Sequence, residues 1–329
     1  MFRTLALSVA IVVSMTATPV LGQPPAALLW NDPGDIASRN LFYGPGSAQL
    51  APVAPFAFLK EDTGGTQPKF RVRDAKGTEW GVKLGIEAQS ETASTRLVWA
   101  AGYYAEEAYF FPEVKIDNMT ALTRPTTEVK PGGVVTNARF EPVRADVKKL
   151  GEWEWEKNPF VGTRELDGLK VLMMMLNNWD AHDTNNRKVR VGSQERFLVS
   201  DLGATLGKTG GKWEHTKNDL KDFAESKFID GVDQGVVKFA YRVRPTGLGM
   251  FAILYPPYAG RVKDITANTK GIKIEDARWL GEVMNRLSDA QIGDAFKAAG
   301  YDDATIAGYV ATLRSRIQQL VALPAPTAQ

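Results

Sequence analysis

The chain has no cysteine. That excludes disulfides, thiolate metal sites, cysteine nucleophiles and a lipidated N-terminal cysteine. Histidine is nearly as scarce: His182 and His215 are the only two, so zinc sites and Ser-His-Asp chemistry have little to draw on. Nor is there an excess of charge. The 40 basic and 38 acidic residues leave a net charge of +2, with no lysine- or arginine-rich run, which argues against a nucleic-acid binder that works through a basic surface. Internal repeats and low-complexity tracts are also missing. Outside the N-terminus no segment approaches the length needed to span a membrane.

What the N-terminus does have is the layout of a secretory signal peptide. In MFRTLALSVAIVVSMTATPVLGQPPA, Arg3 precedes an apolar stretch from Leu5 to Val13, and small or turn-forming residues lead to Gly22. The apolar core is short for an anchor and is followed by Ser14, Thr16, Thr18 and Pro19. Cleavage after Gly22 is therefore expected, giving an exported protein, periplasmic or secreted, with no stable membrane span. The 329 residues are 44% hydrophobic, enough for a core that needs no disulfides.

Residues 23–55 are rich in Pro, Gly and Ala and read as a surface wrap. PFAFLKED, FRVRDAKG and TEWGVKLG then alternate apolar with charged residues, as an antiparallel meander with one wet face does. Residues 87–101 turn helical, with Ala88, Glu91, Thr95 and Val98 in one register and Gly102 as a stop. Strand character returns at AYFFPEVKI and VVTNARFEPV. From residue 143 the pattern is mostly helical. TRELDGLKVLMMML is apolar nearly all round, so its methionines read as buried filler. KVRV, the turn GSQE and RFLVS read as a hairpin, and EDARWLGEVMNRL and ATIAGYVATLRSRIQQLVAL as amphipathic helices. The fold class is α+β, a β-rich half before a larger helical one.

The chemistry-bearing residues fall in a definite order. Lys83 ends a strand, and Glu91 lies on the next helix. Asp180 and Asn185 stand five apart in LNNWDAHDTNNRKV, after the buried helix, and Asp201 follows the hairpin just before a glycine. Together these are the parts of ATP-dependent phosphoryl transfer. A strand lysine can hold phosphates while a helix glutamate orients it. An amide and a carboxylate oxygen suit Mg²⁺, which keeps waters and phosphate oxygens in its shell. A separate carboxylate can take the acceptor hydroxyl's proton. Asp180 is then the base, Asn185 and Asp201 the metal ligands, Lys83 the phosphate-holder and Glu91 its partner. Glu87 could make the same pair. Asp183 and Asn186 read as structural, with Asp183 an alternative base, and His182 reads as a loop hydrogen-bonder.

At these residues the chain resembles the HipA-like and phosphoinositide-type atypical kinases. GTQPK at Gly65–Lys69, with VK at 82–83, is similar to their phosphate loop and lysine strand, and ETASTRLVWAAGY to their glutamate-bearing helix. NWDAHDTNN resembles their catalytic loop, and DLG at 201–203 their metal-binding tripeptide. Ala181 stands where a basic residue is usual. The resemblance implies a two-lobed protein-kinase-like fold: a signal peptide at 1–22, an N-lobe at 23–142 and a C-lobe at 143–329. It also implies a nucleotide, ATP with Mg²⁺ or Mn²⁺, in the cleft, with Gly64, Gly65, Thr66, Gln67 and Lys69 around its phosphates. For Gly64 and Gly65 the plain alternative is a hairpin turn.

The expected function is an exported kinase-like phosphotransferase acting on a protein, sugar or lipid hydroxyl. Two alternatives stand beside it. One is a non-catalytic, pseudokinase-type binding module, since ATP is scarce outside the cytoplasm; the other is a metal-dependent phosphoesterase built on Asp180, Asp183 and Asp201. GATLGKT at 203–209 is one residue short of a phosphate-binding P-loop and has no helix pattern after it, so it is set aside.

Overall fold

The computed structural model describes residues 26–65, 67–211, 213–242, 254, 259, 262 and 268–325. The signal peptide expected at 1–22 and Thr66 lie outside them. The protein is α+β. Strands β1 (Ala26–Leu28), β2 (Phe56–Asp62), β3 (Lys69–Arg73) and β4 (Glu79–Leu84) lead to helix α1 (Glu87–Ala100). Then come β5 (Tyr109–Asp117), β6 (Val129–Lys130), β7 (Val134–Pro142), β8 (Val147–Gly151) and α2 (Arg164–Met175). The hairpin β9 (Asn186–Val191) and β10 (Gln194–Val199), α3 (Leu220–Glu225), β11 (Ile229–Asp233) and β12 (Val236–Phe239) follow. Three helices end the chain: α4 (Ile274–Asn285), α5 (Asp289–Lys297) and α6 (Asp303–Val321).

The meander predicted over β2–β4 is present, but it closes. β4 pairs antiparallel with β7, β7 with β5, and β5 runs parallel beside β2. The ring of β2, β3, β4, β7 and β5 leaves none of those strands an open edge along the paired stretch. Strand alternation sorts the residues. Phe70, Val72, Trp80, Val82, Leu84 and Phe140 fill the interior, so Gly81, Lys83, Arg139 and Glu141 point outwards. Registry sets Lys83 opposite Arg139 and Gly81 opposite Glu141.

Three expectations need correction. Residues 23–55 do not merely wrap a surface: β1 joins β10 in parallel, and Leu29, Ile36 and Leu41 are buried in the larger core. The half after residue 143 is less purely helical than its periodicity implies, since β8 to β12 lie there. β8 and β1 flank the β9–β10 hairpin in a four-stranded sheet. The hairpin is also tighter than GSQE predicts. Val191 pairs with Gln194, so only Gly192 and Ser193 turn the chain, Gly192 at φ +58°.

Helix α1 is buried well beyond the register of Ala88, Glu91, Thr95 and Val98. Of its 14 residues 11 are buried, because it is wedged between the barrel, the segment after Asp201 and α5. Gly102 ends it at φ +98°, where a Cβ would lie 2.5 Å from the Asn31 carbonyl oxygen, so only glycine fits. Helix α2 is buried nearly all round, as predicted, and starts at Thr163, whose hydroxyl accepts the Leu166 N–H at 3.3 Å.

One buried cation braces the loop after α2. Arg316 of α6 donates to Met175 O (2.7 Å), Asn177 Oδ1 (3.1 Å), Phe223 O (2.9 Å) and Ser226 Oγ (2.8 Å). Burial lowers its pKa to about 9. Arg316→Met keeps the volume but strands several buried acceptors, each worth about 1–3 kcal/mol. A loss of about 3 kcal/mol or more in urea unfolding is expected; a loss below about 1 kcal/mol would mean that water replaces the guanidinium.

Candidate functional site

Lys83 sits where the barrel, α1 and the strand-end after β10 converge. Its ammonium lies 2.7 Å from Asp201 Oδ1, 2.9 Å from Glu87 Oε2 and 3.0 Å from Glu91 Oε2. Burial works against its charge, but Glu91, Asp201 and Glu87 together hold its pKa well above the usual lysine value. Burial would raise Asp201, yet Lys83 brings it below the ordinary carboxylate range. Glu87 is lowered in the same way, by Lys83 and Lys217 against burial. Both glutamates weighed as partners for Lys83 therefore reach it. Their spacing explains this: Glu87 and Glu91 are one turn apart on α1 and share a face.

The loop from Leu176 to Asn185 is built on its own side chains. Asn178 accepts the Asp180 N–H at 3.1 Å. Asn185 donates to Asp180 O at 2.8 Å and to Asp180 Oδ2 at 3.0 Å. The Asn185 amide nitrogen is thus committed to the aspartate, and the oxygen is the atom it can offer a cation. His182 Nε2 lies 3.4 Å from Asp180 Oδ1, and its Nδ1 is 2.6 Å from Thr184 Oγ1. Two backbone bonds tie this loop to the segment after Asp201: Trp179 N–H to Ala204 O at 3.2 Å and Leu206 N–H to Leu176 O at 2.9 Å. Asp201 itself has φ +53°, a left-handed backbone that a non-glycine residue keeps only when its surroundings enforce it.

Asp183 and Asn186 have structural work. Asp183 Oδ1 accepts the Trp155 N–H at 2.9 Å, and buried Asn186 donates to Trp153 O at 3.0 Å. Among the described residues no three acidic or histidine side chains converge as a metal cage. Asp180, Asp183 and Asp201 thus do not make the cluster a phosphoesterase would need. Asn185 and Asp201 remain, a two-oxygen donor set that fits Mg²⁺ completed by phosphate oxygens and waters.

The β2–β3 turn is held differently from a free phosphate cradle. The Gly64 N–H is used within the turn, on Asp62 Oδ1 at 3.0 Å. Arg124 donates to Gly64 O at 3.2 Å, to Gln67 O at 2.8 Å and to Thr63 O. Gln67 Nε2 reaches Glu87 Oε1 at 3.1 Å. Gly65, at φ +66°, has Lys69 Nζ 3.3 Å from where its Cβ would be. Of the residues of this turn, Lys69 is the charged one that lines the cleft.

The cleft has a volume of about 360 Å³. Lys69, Lys83, Glu91 and Asp201 line it, together with the apolar Gly81, Val143, Val189 and Leu198. Its lining also holds a charge cluster that sequence reading missed. Arg139 pairs with Glu91 (3.4 Å), Glu106 (3.5 Å) and Glu141 (3.2 Å), and Arg187 with Glu106 (2.5 Å). Burial first, then Glu141, pushes the Glu106 carboxyl up to about 7 against the pull of Arg187 and Arg139. The available signal was the charge at 139 and 141 in an alternating strand, on the same face as Lys83.

No family model and no curated protein matches the chain. Among solved structures it is similar to a Helicobacter pylori proinflammatory kinase, CtkA, at 9% identity, covering 80% of this chain and 90% of that one with a TM-score of 0.42. It is also similar to a Golgi casein kinase at 11% identity, covering 81% of this chain and 75% of that one with a TM-score of 0.33. Likenesses this shallow assign no function, and the chemical reading rests on the side chains just described.

Proposed function

We propose that this chain is a two-lobed, protein-kinase-like phosphotransferase. The barrel and α1, 56–142, act as N-lobe and residues 143–329 as C-lobe, with 23–55 packed onto the latter through β1, and the chain is exported once residues 1–22 are removed. It transfers a phosphoryl group from ATP to a hydroxyl of a protein, sugar or lipid. The observation that carries the reading is the meeting of Lys83, Glu91 and Asp201, residues from a strand, a helix and a distant strand-end, within 3.0 Å of one ammonium.

The geometry supports a division of labour. The apolar lining of Gly81, Val143, Val189 and Leu198 accepts a flat purine, with Gly81 leaving space a side chain would fill. Lys83, released in part from Asp201, and Lys69 neutralise phosphate oxygens. Asn185 Oδ1 and the Asp201 carboxylate would hold Mg²⁺, or Mn²⁺ in its place, which when bound screens the phosphate charge. Asp180, oriented by Asn185 and Asn178, takes the proton as the acceptor oxygen attacks phosphorus. Glu91 and Glu87 keep Lys83 from swinging away. No helix among the described residues is long and apolar enough to cross a membrane.

Calorimetry on the mature chain tests this. Wild type should bind ATP with Mg²⁺, and Lys83→Ala and Asp201→Ala should each weaken binding by about tenfold or more, since charge-assisted contacts are worth about 1.5–3 kcal/mol. A folded wild type that binds no nucleotide, with or without metal, would favour the non-catalytic module.

A further inference from the structure

Asp201 carries most of the metal chemistry assigned above, yet its left-handed backbone is not self-supporting. What surrounds it is a set of buried hydroxyls: Ser90 and Ser94 on α1, Ser200 before it and Thr205 after it, none more than 3% exposed. We propose that these four hydroxyls are positioning residues that preassemble the metal site, by fixing the peptide on both sides of Asp201 to Asn185 and to α1. The proposal rests on the phosphotransferase reading.

Each proton can be placed. Thr205 Oγ1 gives its single proton to Leu202 O at 2.7 Å. In the Ser94–Thr205 contact, also 2.7 Å, the donor must then be Ser94. Ser90 Oγ is 2.7 Å from Gly203 O and 3.3 Å from Glu87 O; the shorter contact takes the proton. The carbonyls of the two residues after Asp201 are thus each held by a hydroxyl. On the other side, Ser200 directs both its N–H (2.8 Å) and its Oγ–H (2.9 Å) at the Asn185 carbonyl. One serine therefore couples the two candidate metal ligands.

The frame is closed sterically as well. A Cβ on Gly203 would lie 2.8 Å from Glu87 Cβ, so the segment lies directly against the helix that carries both glutamates. Asn218 Nδ2 donates to Ile86 O at 3.3 Å and to Gln89 Oε1 at 3.2 Å, and α5 covers α1 from behind. Swinging α1 outwards would break buried hydrogen bonds to residues 203 and 205 that water cannot reach. The consequence is a Lys83–Glu91–Asp201 arrangement that stands ready before any nucleotide or partner arrives. Deleting groups that orient a metal ligand typically costs about 10- to 100-fold in metal affinity.

The test uses Mn²⁺ as a spin probe on the ATP-saturated mature protein. Thr205→Val keeps the shape and removes the hydroxyl; Thr205→Ser keeps the hydroxyl. Thr205→Val should weaken Mn²⁺ binding by about tenfold while metal-free ATP affinity stays within about twofold of wild type. Thr205→Ser should bind Mn²⁺ as wild type does. Ser200→Ala, which retains the backbone bond to Asn185, is the milder second variant should Thr205→Val not fold, with a loss of about threefold. A wild type that binds ATP and Mn²⁺ while folded Thr205→Val or Ser200→Ala binds both equally well overturns the frame alone. A wild type that binds neither overturns the phosphotransferase reading, and the frame with it.

Discussion

Asp180→Ala is expected to lower ATP-dependent transfer by about 10²- to 10⁴-fold, the usual worth of a positioned general base, while ATP affinity stays near that of wild type. The asymmetry follows from geometry. Asp180 is held by Asn178 and Asn185, whereas Lys83 is held by Glu87, Glu91 and Asp201, so loss of Asp180 leaves the phosphate-holding charges in place. ADP formation by a coupled assay, alongside calorimetry, separates the two effects. Asp183, the other aspartate in the loop, accepts the Trp155 N–H, so Asp183→Ala, which removes the acceptor, should affect folding more than turnover. Full turnover by folded Asp180→Ala would remove Asp180 from the mechanism and return attention to Asp183.

The second large effect is expected from Lys83→Met, and its sign depends on pH. In wild type, Asp201 and Glu87 are held below their ordinary values of 3.8 and 4.5. A depressed carboxylate adds stability that is present above the ordinary value and lost as pH falls through the folded one. Wild type should therefore weaken below about pH 4.5. Removing the ammonium reverses the balance. Glu87, Glu91 and Asp201 then face one another without their common cation, and burial and mutual repulsion raise Glu87 and Asp201 above their unfolded values. Stability gained from that shift exists only in acid and is lost as pH rises. Breaking a buried ion pair costs about 3–5 kcal/mol, and Asp201, with its side chain 42% exposed, contributes less because solvent screens it. Lys83→Met should thus be destabilised by about 3 kcal/mol at pH 8 and distinctly less at pH 5, by denaturant unfolding. Equal losses at both pH values would mean that the cations already paired with these glutamates, Lys217 with Glu87 and Arg139 with Glu91, suffice to keep the carboxylates charged.

Much of the local structure was legible in the residues. The period-two pattern of β2 to β4, the start of α2 at Thr163 and the stop of α1 at Gly102 follow from side chains within a few positions of one another. So does the Asp180–Asn185 loop, whose hydrogen bonds span five residues. The three parts brought to one ammonium were named separately from sequence order. Thr66 lies outside the described residues, and Gly64, whose N–H is spent on Asp62, serves the turn more visibly than a phosphate.

Barrel closure was not legible, because alternation states which face a residue takes but not which strand lies beside it. The burial of 23–55 was missed for a related reason: Pro, Gly and Ala are loop formers, and their composition conceals three anchor residues, Leu29, Ile36 and Leu41. The charge cluster of Arg139, Glu106, Glu141 and Arg187 and the hydroxyls around Asp201 have no motif at all. Serine and threonine on a helix ordinarily face water, and only a covering layer on every side turns Ser90 and Ser94 into donors for a distant backbone.

The sequence by itself determined the types of β2 to β4, α1, α2 and the β9–β10 hairpin, the α+β class and the candidate chemistry-bearing side chains, since those depend on propensity and spacing over one or two turns. Only the tertiary structure decided that Lys83 meets Asp201 across 118 residues, that both glutamates share it, and that hydroxyls hold the aspartate's peptide. Such contacts depend on which surfaces are buried together, and that is settled by the packing of the whole chain.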